Sequence, residues 1–523
     1  MAVDQNCASN DASSHPRGAG RPVRRIAILG GGTAGWLAAS MLARALTGTG
    51  TAITVVESPQ IGTVGVGEAT IPPILDVLRF LGIDEADFAL HTSATYKLGI
   101  RFTDWRRTGH SYWHPFGTLG APINRRPFFH AWQRASAMGM EPKLHDYSIC
   151  TALAEQGRFR RPDPEGGAAA GIRYAFHFDA ALVAEYLAAY AGGLGVVRWM
   201  GTVVDVRQRA DGLLETLVLE DGRTLAADLF LDCSGLRGAL IEQVLKAGYE
   251  DWRGVLPCDR AVAIQTPLTG PRNPYTDSIA MEAGWRWKIP LRNRVGNGYV
   301  YASPFIDDES ALDALRTQIG EAALREPRVI RFTPGRRRVF WERNCIALGL
   351  ASGFLEPLES TSIHLVYSGV YHLLEHFPDC DFLASNIAAY NRSAIEEFER
   401  IRDFIVLHYC LTERDDTPLW RYCRTMALPD SLAERIATYR ETGRIRPRAG
   451  ELFTDTSWFY VLEGMGVRPQ CYDPLLDVVP ADRLRALLDR LSSEVALAAL
   501  KARSHDSWFT REPAPRVAVA ARS

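Results

Sequence analysis

An α+β fold built around an α/β core is what this 523-residue chain predicts, and three observations predict it. Gly30-Gly31-Gly32-Thr33-Ala34-Gly35 is a G-x-G-x-x-G turn between a short apolar run, Ile26 to Leu29, and an Ala- and Leu-rich stretch, Trp36 to Leu46. A second apolar run, Ala52 to Val56, follows and ends in Glu57. Much later, Leu229 to Leu231 form another hydrophobic run, which opens into the small-residue turn Asp232-Cys233-Ser234-Gly235. Short unbroken apolar runs read as parallel strands covered on both faces. The order strand, glycine turn, helix, strand, acid is that of a dinucleotide site. Gly30, Gly32 and Gly35, with Thr33 and Ala34 between them, let backbone approach a pyrophosphate, and the helix N-terminus supplies amide donors. Glu57 stands where an acid takes the ribose hydroxyls. The late strand implies a nucleotide domain assembled from discontinuous segments.

The remaining elements follow in chain order. Met1 to Pro22 is polar and rich in Ser, Gly, Asn and Pro, without the apolar core of a signal peptide, and reads as a disordered tail over 1–22. Thr95 to Phe102 alternates with period two, which puts Tyr96, Leu98, Ile100 and Phe102 on one face and Lys97 and Arg101 on the other. Ala180 to Ala191 reads as a helix and Val196 to Val206 as strand pieces. Leu214 to Leu219 and Arg223 to Leu231 read as a hairpin around Glu220-Asp221-Gly222. Trp285 and Trp287 are spaced to project from one face of a strand. After about Pro418 the chain turns helical, from Ser431 to Glu441 and from Pro480 to Arg503. The expected organisation is a core over 23–415 with inserted segments at about 95–175 and 255–335, a helical C-terminal lobe over 416–503, and a flexible tail over 504–523.

Composition excludes several classes. With 59 basic against 61 acidic residues and a net charge of −2, neither nucleic acid nor an anionic membrane is an expected partner. Nine cysteines without a C-x-x-C pair suggest neither a disulfide framework nor a metal site, and a reducing cytoplasm fits best. No run of about eighteen apolar residues is present, so no membrane span is expected.

Two further segments bear on which dinucleotide binds. Gly62 to Thr70 is a glycine-punctuated loop just after the second strand, where a loop would cover a cofactor ring. Gly349 to Thr361 ends the hydrophobic strand Cys345 to Leu350 and leads into an apolar helix. Pro357 stops any helix before it, and Ser360 is placed to cap the one after it. Free amides at Thr361 and Ser362 would then form an anion pocket beside the cofactor.

These residues carry a family resemblance. Gly30 to Trp36 (GGGTAGW), Gly65 to Pro72 (GVGEATIP), Trp285 to Pro290 (WRWKIP) and Phe354 to Thr361 (FLEPLEST) together resemble the flavin-dependent tryptophan halogenases. The likeness runs from about Val23 to Leu491, and W-x-W-x-I-P is its most specific element. It implies a flavin-monooxygenase-like FAD domain carrying a helical substrate lobe. Cofactor contacts are implied for the glycine turn and Glu57, for Gly65, Val66, Gly67, Glu68 and Ala69, and for Leu350. The implied chemistry uses FADH2, O2 and chloride or bromide to make hypohalous acid, which travels through a tunnel to an electron-rich ring. Thr361 and Ser362 would hold halide.

Lys97 and Glu359 match the family's catalytic positions. By pattern alone Lys97 is a solvated strand lysine, since Lys is rarely buried unless paired; the resemblance makes it the residue that receives the oxidant. Its ammonium would hydrogen-bond the hypohalous oxygen, or its amine would carry halogen. Glu359 would accept the ring proton or stabilise the cationic intermediate. Trp285 and Trp287 match a wall between flavin and substrate. His114 and Phe116 match positions lining the aromatic pocket, with Trp458 and Phe459 on the lobe.

The chain also departs from the family. Glu359-Ser360-Thr361-Ser362 ends in Ser where Gly is common, which keeps the backbone amide. Members acting on free tryptophan carry a long tyrosine-rich segment that clamps the amino acid, whereas Arg444 to Ser457 is short and has no tyrosine. The expected substrate is thus the indole ring of tryptophan, peptide-borne or free, or a simple indole. Arg446 and Arg448 could meet an acidic substrate, though they read first as a solvated basic loop. Neither Gly464-Met465-Gly466 nor Gly296-Asn297-Gly298 has the context of a second nucleotide turn. A separate NAD(P)H-dependent flavin reductase is therefore the expected source of FADH2, and a homodimer is left open. An aromatic hydroxylase on the same fold and a non-catalytic flavin-binding protein are the alternatives.

Overall fold

Arg25–Leu29 is buried at its three central residues because it lies in the middle of a six-stranded sheet, apolar neighbours on either side. The computed structural model describes residues 20–60, 67–320, 322–446 and 448–510. The sheet runs Trp341–Glu342, Cys345–Ala347, Leu229–Asp232, Arg25–Leu29, Ala52–Glu57, Val197–Met200. It is parallel except at the edge strand Trp341–Glu342. Ile28 sits between Leu231 and Val55, so the late strand pairs directly with the first. The helix Thr33–Ala45 crosses between the first two strands and packs on the helices Ala180–Gly193 and Ser362–Glu375.

The glycine turn is dictated by contact. Gly30 has φ +122°, and a side-chain carbon on it would lie 2.2 Å from the Cys233 carbonyl oxygen. At Gly35 the same carbon would lie 1.8 Å from the Gly30 carbonyl oxygen, so only glycine lets the helix start this close to the turn.

A second sheet of seven strands runs Arg328–Arg331, Arg260–Pro267, Arg294–Tyr301, Gly284–Pro290, Thr276–Met281, Gly99–Thr103, Ser111–Pro115. It is antiparallel apart from the pair Thr276–Met281 and Gly99–Thr103. A small sheet of Gly67–Ala69, Ala175–Asp179 and Thr95–Lys97 ties the nucleotide core to it.

Several expectations need correction. Thr95 to Phe102 is not one strand: Thr95–Lys97 pairs in the small sheet and Gly99–Thr103 in the large one, with the break at Leu98. Gly99 passes so near Pro115 that a side-chain carbon would sit 2.6 Å from its Cα. The expected solvated face therefore holds for Arg101, whose half-exposed guanidinium pairs with Asp277 at 2.7 Å, and fails for Lys97, which is buried. The run 223–231 also divides. Thr224–Ala226 pairs with Leu214–Leu219, but Leu229–Asp232 leaves for the parallel sheet.

The C-terminal lobe contains Pro418–Thr425, Asp430–Thr442, Asp455–Gly464 and Ala481–Leu500. It packs on the 27-residue helix Ala384–Cys410 and on the inserted helices Phe128–Ala137 and Ile149–Glu155. Residues 504–510 are not a tail: Arg503–Ser504 pairs with Arg158–Phe159, His505 is buried, and Trp508 meets the Phe159 ring edge-on at 5.2 Å. At the other end, Pro22 forms a bridge with Asp379. Among the described residues no helix is long and apolar enough to cross a membrane.

Candidate active site

The glycine turn opens onto a cavity of about 750 Å³ at the carboxyl ends of the parallel strands, the usual place for a ligand in such a sheet. Gly30, Gly32, Thr33, Ala34 and Glu57 line one end. Gly67, Glu68, Ala69 and Leu350 line the rest of the wall, with Trp287, Ser360 and Ser362. Gly65 and Val66 lie outside the described residues. The helix Thr33–Ala45 has neither a side-chain cap nor an acid in its first turn, so its leading amides are free for a pyrophosphate. These features fit a bound dinucleotide. Glu57 is pinned at the rim, accepting from Trp36 Nε1 at 3.1 Å and from Arg198 Nε at 2.7 Å. Desolvation pushes the Glu68 carboxyl up to about 7.

Trp287 faces this cavity, and its ring fills the space that a side chain on Gly298 would need. Trp285 lies beside it at 6.1 Å and donates Nε1 to Glu356 Oε2 at 3.0 Å. Glu356 also accepts from Tyr409 at 2.8 Å. Burial raises its carboxyl to about 7, against the lowering effect of those donors.

Lys97 is 0% exposed. Its Nζ donates to the Thr70 carbonyl at 3.1 Å and to Ser360 Oγ at 2.7 Å, and lies 5.2 Å from the centre of the Phe116 ring. Burial lowers its pKa to about 7, with Glu359 opposing the shift. Two donors of the ammonium are thus engaged, and the third has no partner among the described residues. Ser360 does not cap the following helix as expected. It sits in the left-handed region (φ 59°, ψ 36°), and Thr361 holds the N-cap position of Ser362–Glu375. That geometry turns the Ser360 hydroxyl toward Lys97 while the residue also lines the cavity. Thr361 Oγ1 is buried without a hydrogen-bond partner among the described residues, and no side chain caps the helix.

Glu359 is likewise 0% exposed. His114 Nδ1 lies 2.8 Å from Oε2, and His408 Nε2 lies 2.9 Å from Oε1 but off the hydrogen-bond direction. Desolvation would raise this carboxyl; His114 first, then His408, outweigh it and hold the group down at about 2. His114 also packs against Phe404 at 5.3 Å and Phe453 at 5.9 Å. Trp458 meets Phe404 edge-on at 5.0 Å, with the Arg435 guanidinium over its ring at 4.1 Å. Phe459 turns the other way, stacking on Phe129 at 5.0 Å in the lobe interior. Arg446 and Arg448 are exposed.

Lys97, Ser360, Glu359, His114 and Phe116 thus come together from three separate stretches of chain, next to the cavity. Sequence reasoning missed His408, which stands in the apolar run Ile405 to Cys410 with no motif around it. It also missed Ser360 as the partner of Lys97, and Glu356 as the anchor of Trp285.

The chain is similar over most of its length to known proteins. The family model described as "Tryptophan halogenase" matches residues 25–481. A tryptophan 6-halogenase from Streptomyces toxytricini is 36% identical over 510 residues, covering 90% of this chain and 97% of that protein. A solved flavin-dependent halogenase from Xanthomonas campestris superposes with a TM-score of 0.91 at 44% identity, covering 95% of this chain and 100% of that one. One from Brevundimonas sp. BAL3 gives 0.89 at 40% identity, covering 93% and 98%.

Proposed function

We infer the function from the premise that this chain belongs to the tryptophan halogenase family: it is an FADH2-dependent halogenase that uses O2 and chloride or bromide, and the ring it halogenates is an indole. The family's named activities favour this over an aromatic hydroxylase or a silent flavoprotein. The observation that carries the residue assignments is the burial of Lys97 against Ser360, a residue that also lines the cavity.

Bound in the cavity, FADH2 would supply the two electrons that activate O2, one oxygen of which would end in hypohalous acid and the other in water. The glycine turn and the amides of Thr33–Ala45 hold its pyrophosphate. Halide sits at the start of Ser362–Glu375, where uncapped amides and the buried Thr361 hydroxyl attract an anion. Trp287, with Trp285 behind it, keeps the arene off the cofactor. The third donor of Lys97 binds the hypohalous oxygen and makes the halogen more electrophilic. The Phe116 face and the Glu359 charge favour the ammonium form for that task. Glu359 stays ionised through the working range and takes the proton that the attacked ring must lose.

His114 and Phe116 border the ring, and Trp458 closes the far side through Phe404. Around His114 the lobe offers the aromatic faces of Phe404 and Phe453. With no tyrosine in 444–457, this wall suits an indole lacking a clamped amino-acid head: a simple indole, or a tryptophan side chain carried on a peptide. A separate NAD(P)H-dependent reductase delivers FADH2. Incubation with a flavin reductase, NADH, FAD and bromide tests the reading, with indole, free tryptophan and tryptophan-containing peptides offered side by side. Bromoindole products are expected. A mass gain of one oxygen, or flavin oxidation with no aromatic product, would overturn it.

A further inference from the structure

We propose that His408 is the positioning residue for Glu359: it presents Nε2–H to Oε1, its tautomer is fixed by Tyr112, and Oε1 is the atom that removes the ring proton. The proposal rests on Glu359 being the proton acceptor.

His408 closes the last turn of Ala384–Cys410, is 0% exposed, and stacks on Phe102 at 4.5 Å. Tyr112, stacked on the same Phe102 at 4.9 Å, places its hydroxyl 2.7 Å from His408 Nδ1. Burial holds the Tyr112 phenol well above its ordinary pKa, so the phenol keeps its proton and donates it to Nδ1. The imidazole is then left with its own hydrogen on Nε2, beside Glu359 Oε1 but off the line of a direct hydrogen bond. Burial also lowers the His408 pKa, so the ring meets Glu359 as a neutral donor.

The two carboxylate oxygens are used differently. Oε2 is committed to His114 by an aligned bond at 2.8 Å. Oε1 has no aligned hydrogen bond among the described residues, yet His408 Nε2 lies 2.9 Å away. A donor that close but off axis fixes the oxygen by its partial charge and leaves a lone pair uncommitted. That lone pair is what a proton acceptor needs. In the step itself the C–H bond of the halogenated carbon breaks, its electron pair restores the aromatic ring, and an O–H bond forms on Oε1. Glu359 goes from anion to neutral acid, and His408 keeps its proton.

The test uses the full-length protein with FAD, reductase and bromide, and compares His408→Leu, His408→Gln, Tyr112→Phe and Glu359→Gln. Indole against ring-deuterated indole serves as the competition pair. His408→Leu should lower the halogenation kcat about 10- to 100-fold, part of what a positioned base contributes, with KM for indole unchanged. His408→Gln carries an amide N–H near the Nε2 position and should keep most of the activity, and Tyr112→Phe should fall between. Discrimination against deuterium should appear in His408→Leu and be absent from the parent, because proton loss becomes limiting only when the acceptor is poorly held. FAD binding by fluorescence titration and the far-UV circular dichroism should be the same throughout, which reports that each variant is folded. A full kcat in His408→Leu beside a crippled Glu359→Gln would overturn this inference alone. An unaffected Glu359→Gln would remove the acceptor assignment and the inference together.

Discussion

Replacing Lys97 by methionine should raise stability at neutral pH while abolishing halogenation. The side chain is 0% exposed, and burial brings its pKa from 10.5 to about 7. At about 1.4 kcal/mol per decade, that difference is a penalty on the charged form of roughly 5 kcal/mol. The penalty is full below about pH 7, where Lys97 is protonated in both folded and unfolded chains, and vanishes above 10.5, where it is neutral in both. At pH 7 about 4 kcal/mol remains. Methionine fills a similar volume, and losing the bonds to the Thr70 carbonyl and Ser360 Oγ costs about 1 kcal/mol each. The net gain at pH 7 is about 2 kcal/mol, and it should shrink and then reverse as pH approaches 10.5. Urea unfolding followed by tryptophan fluorescence at pH 7 and pH 10 measures it, with bromoindole formation and FADH2 oxidation assayed in parallel. A methionine variant less stable than the parent by an amount that does not change with pH would refute the reasoning, as would retained halogenation.

Glu359→Gln should slow halogenation by about two orders of magnitude, the low end of what a positioned base provides, with product formation measured at saturating indole. Halogenation should fall as pH rises through about 7, because Lys97 loses the proton it donates while Glu359, held near 2, stays ionised. The groups around Lys97 are Thr70, Ser360, Phe116, Glu359 and the buried His177, whose pKa is lowered by burial and by the Lys97 charge, and the rate of FADH2 oxidation measured alongside should not follow the same curve. Gly35→Ala should abolish FAD binding in a fluorescence titration, since the added carbon would lie 1.8 Å from the Gly30 carbonyl oxygen and force the turn open.

How much was legible depended on how local the signal was. The strand, glycine turn and helix from Arg25 to Ala45 follow from the residues themselves, as do the helices at 180–193, 430–442 and 481–500. Where a single apolar pattern serves two sheets, it does not show the join. That is why Thr95 to Phe102 looked like one strand and 223–231 like one arm of a hairpin. Residues 504–510 look like tail because their composition is polar, yet Arg158–Phe159, more than 340 positions earlier, supplies a strand edge and a ring to pack on.

By itself the sequence determined the nucleotide turn, the acid at Glu57, and the motifs that place Lys97, Glu359 and the Trp285–Trp287 pair in one family; each is written in contiguous residues and decided by short-range sterics and hydrogen bonding. The tertiary structure alone decided that Lys97 is dry, that Ser360 turns toward it, and that Glu359 is hydrogen-bonded to His114 and flanked by His408. Those three facts concern solvent exclusion and electrostatic neighbours, which depend on segments up to 263 residues apart meeting in space.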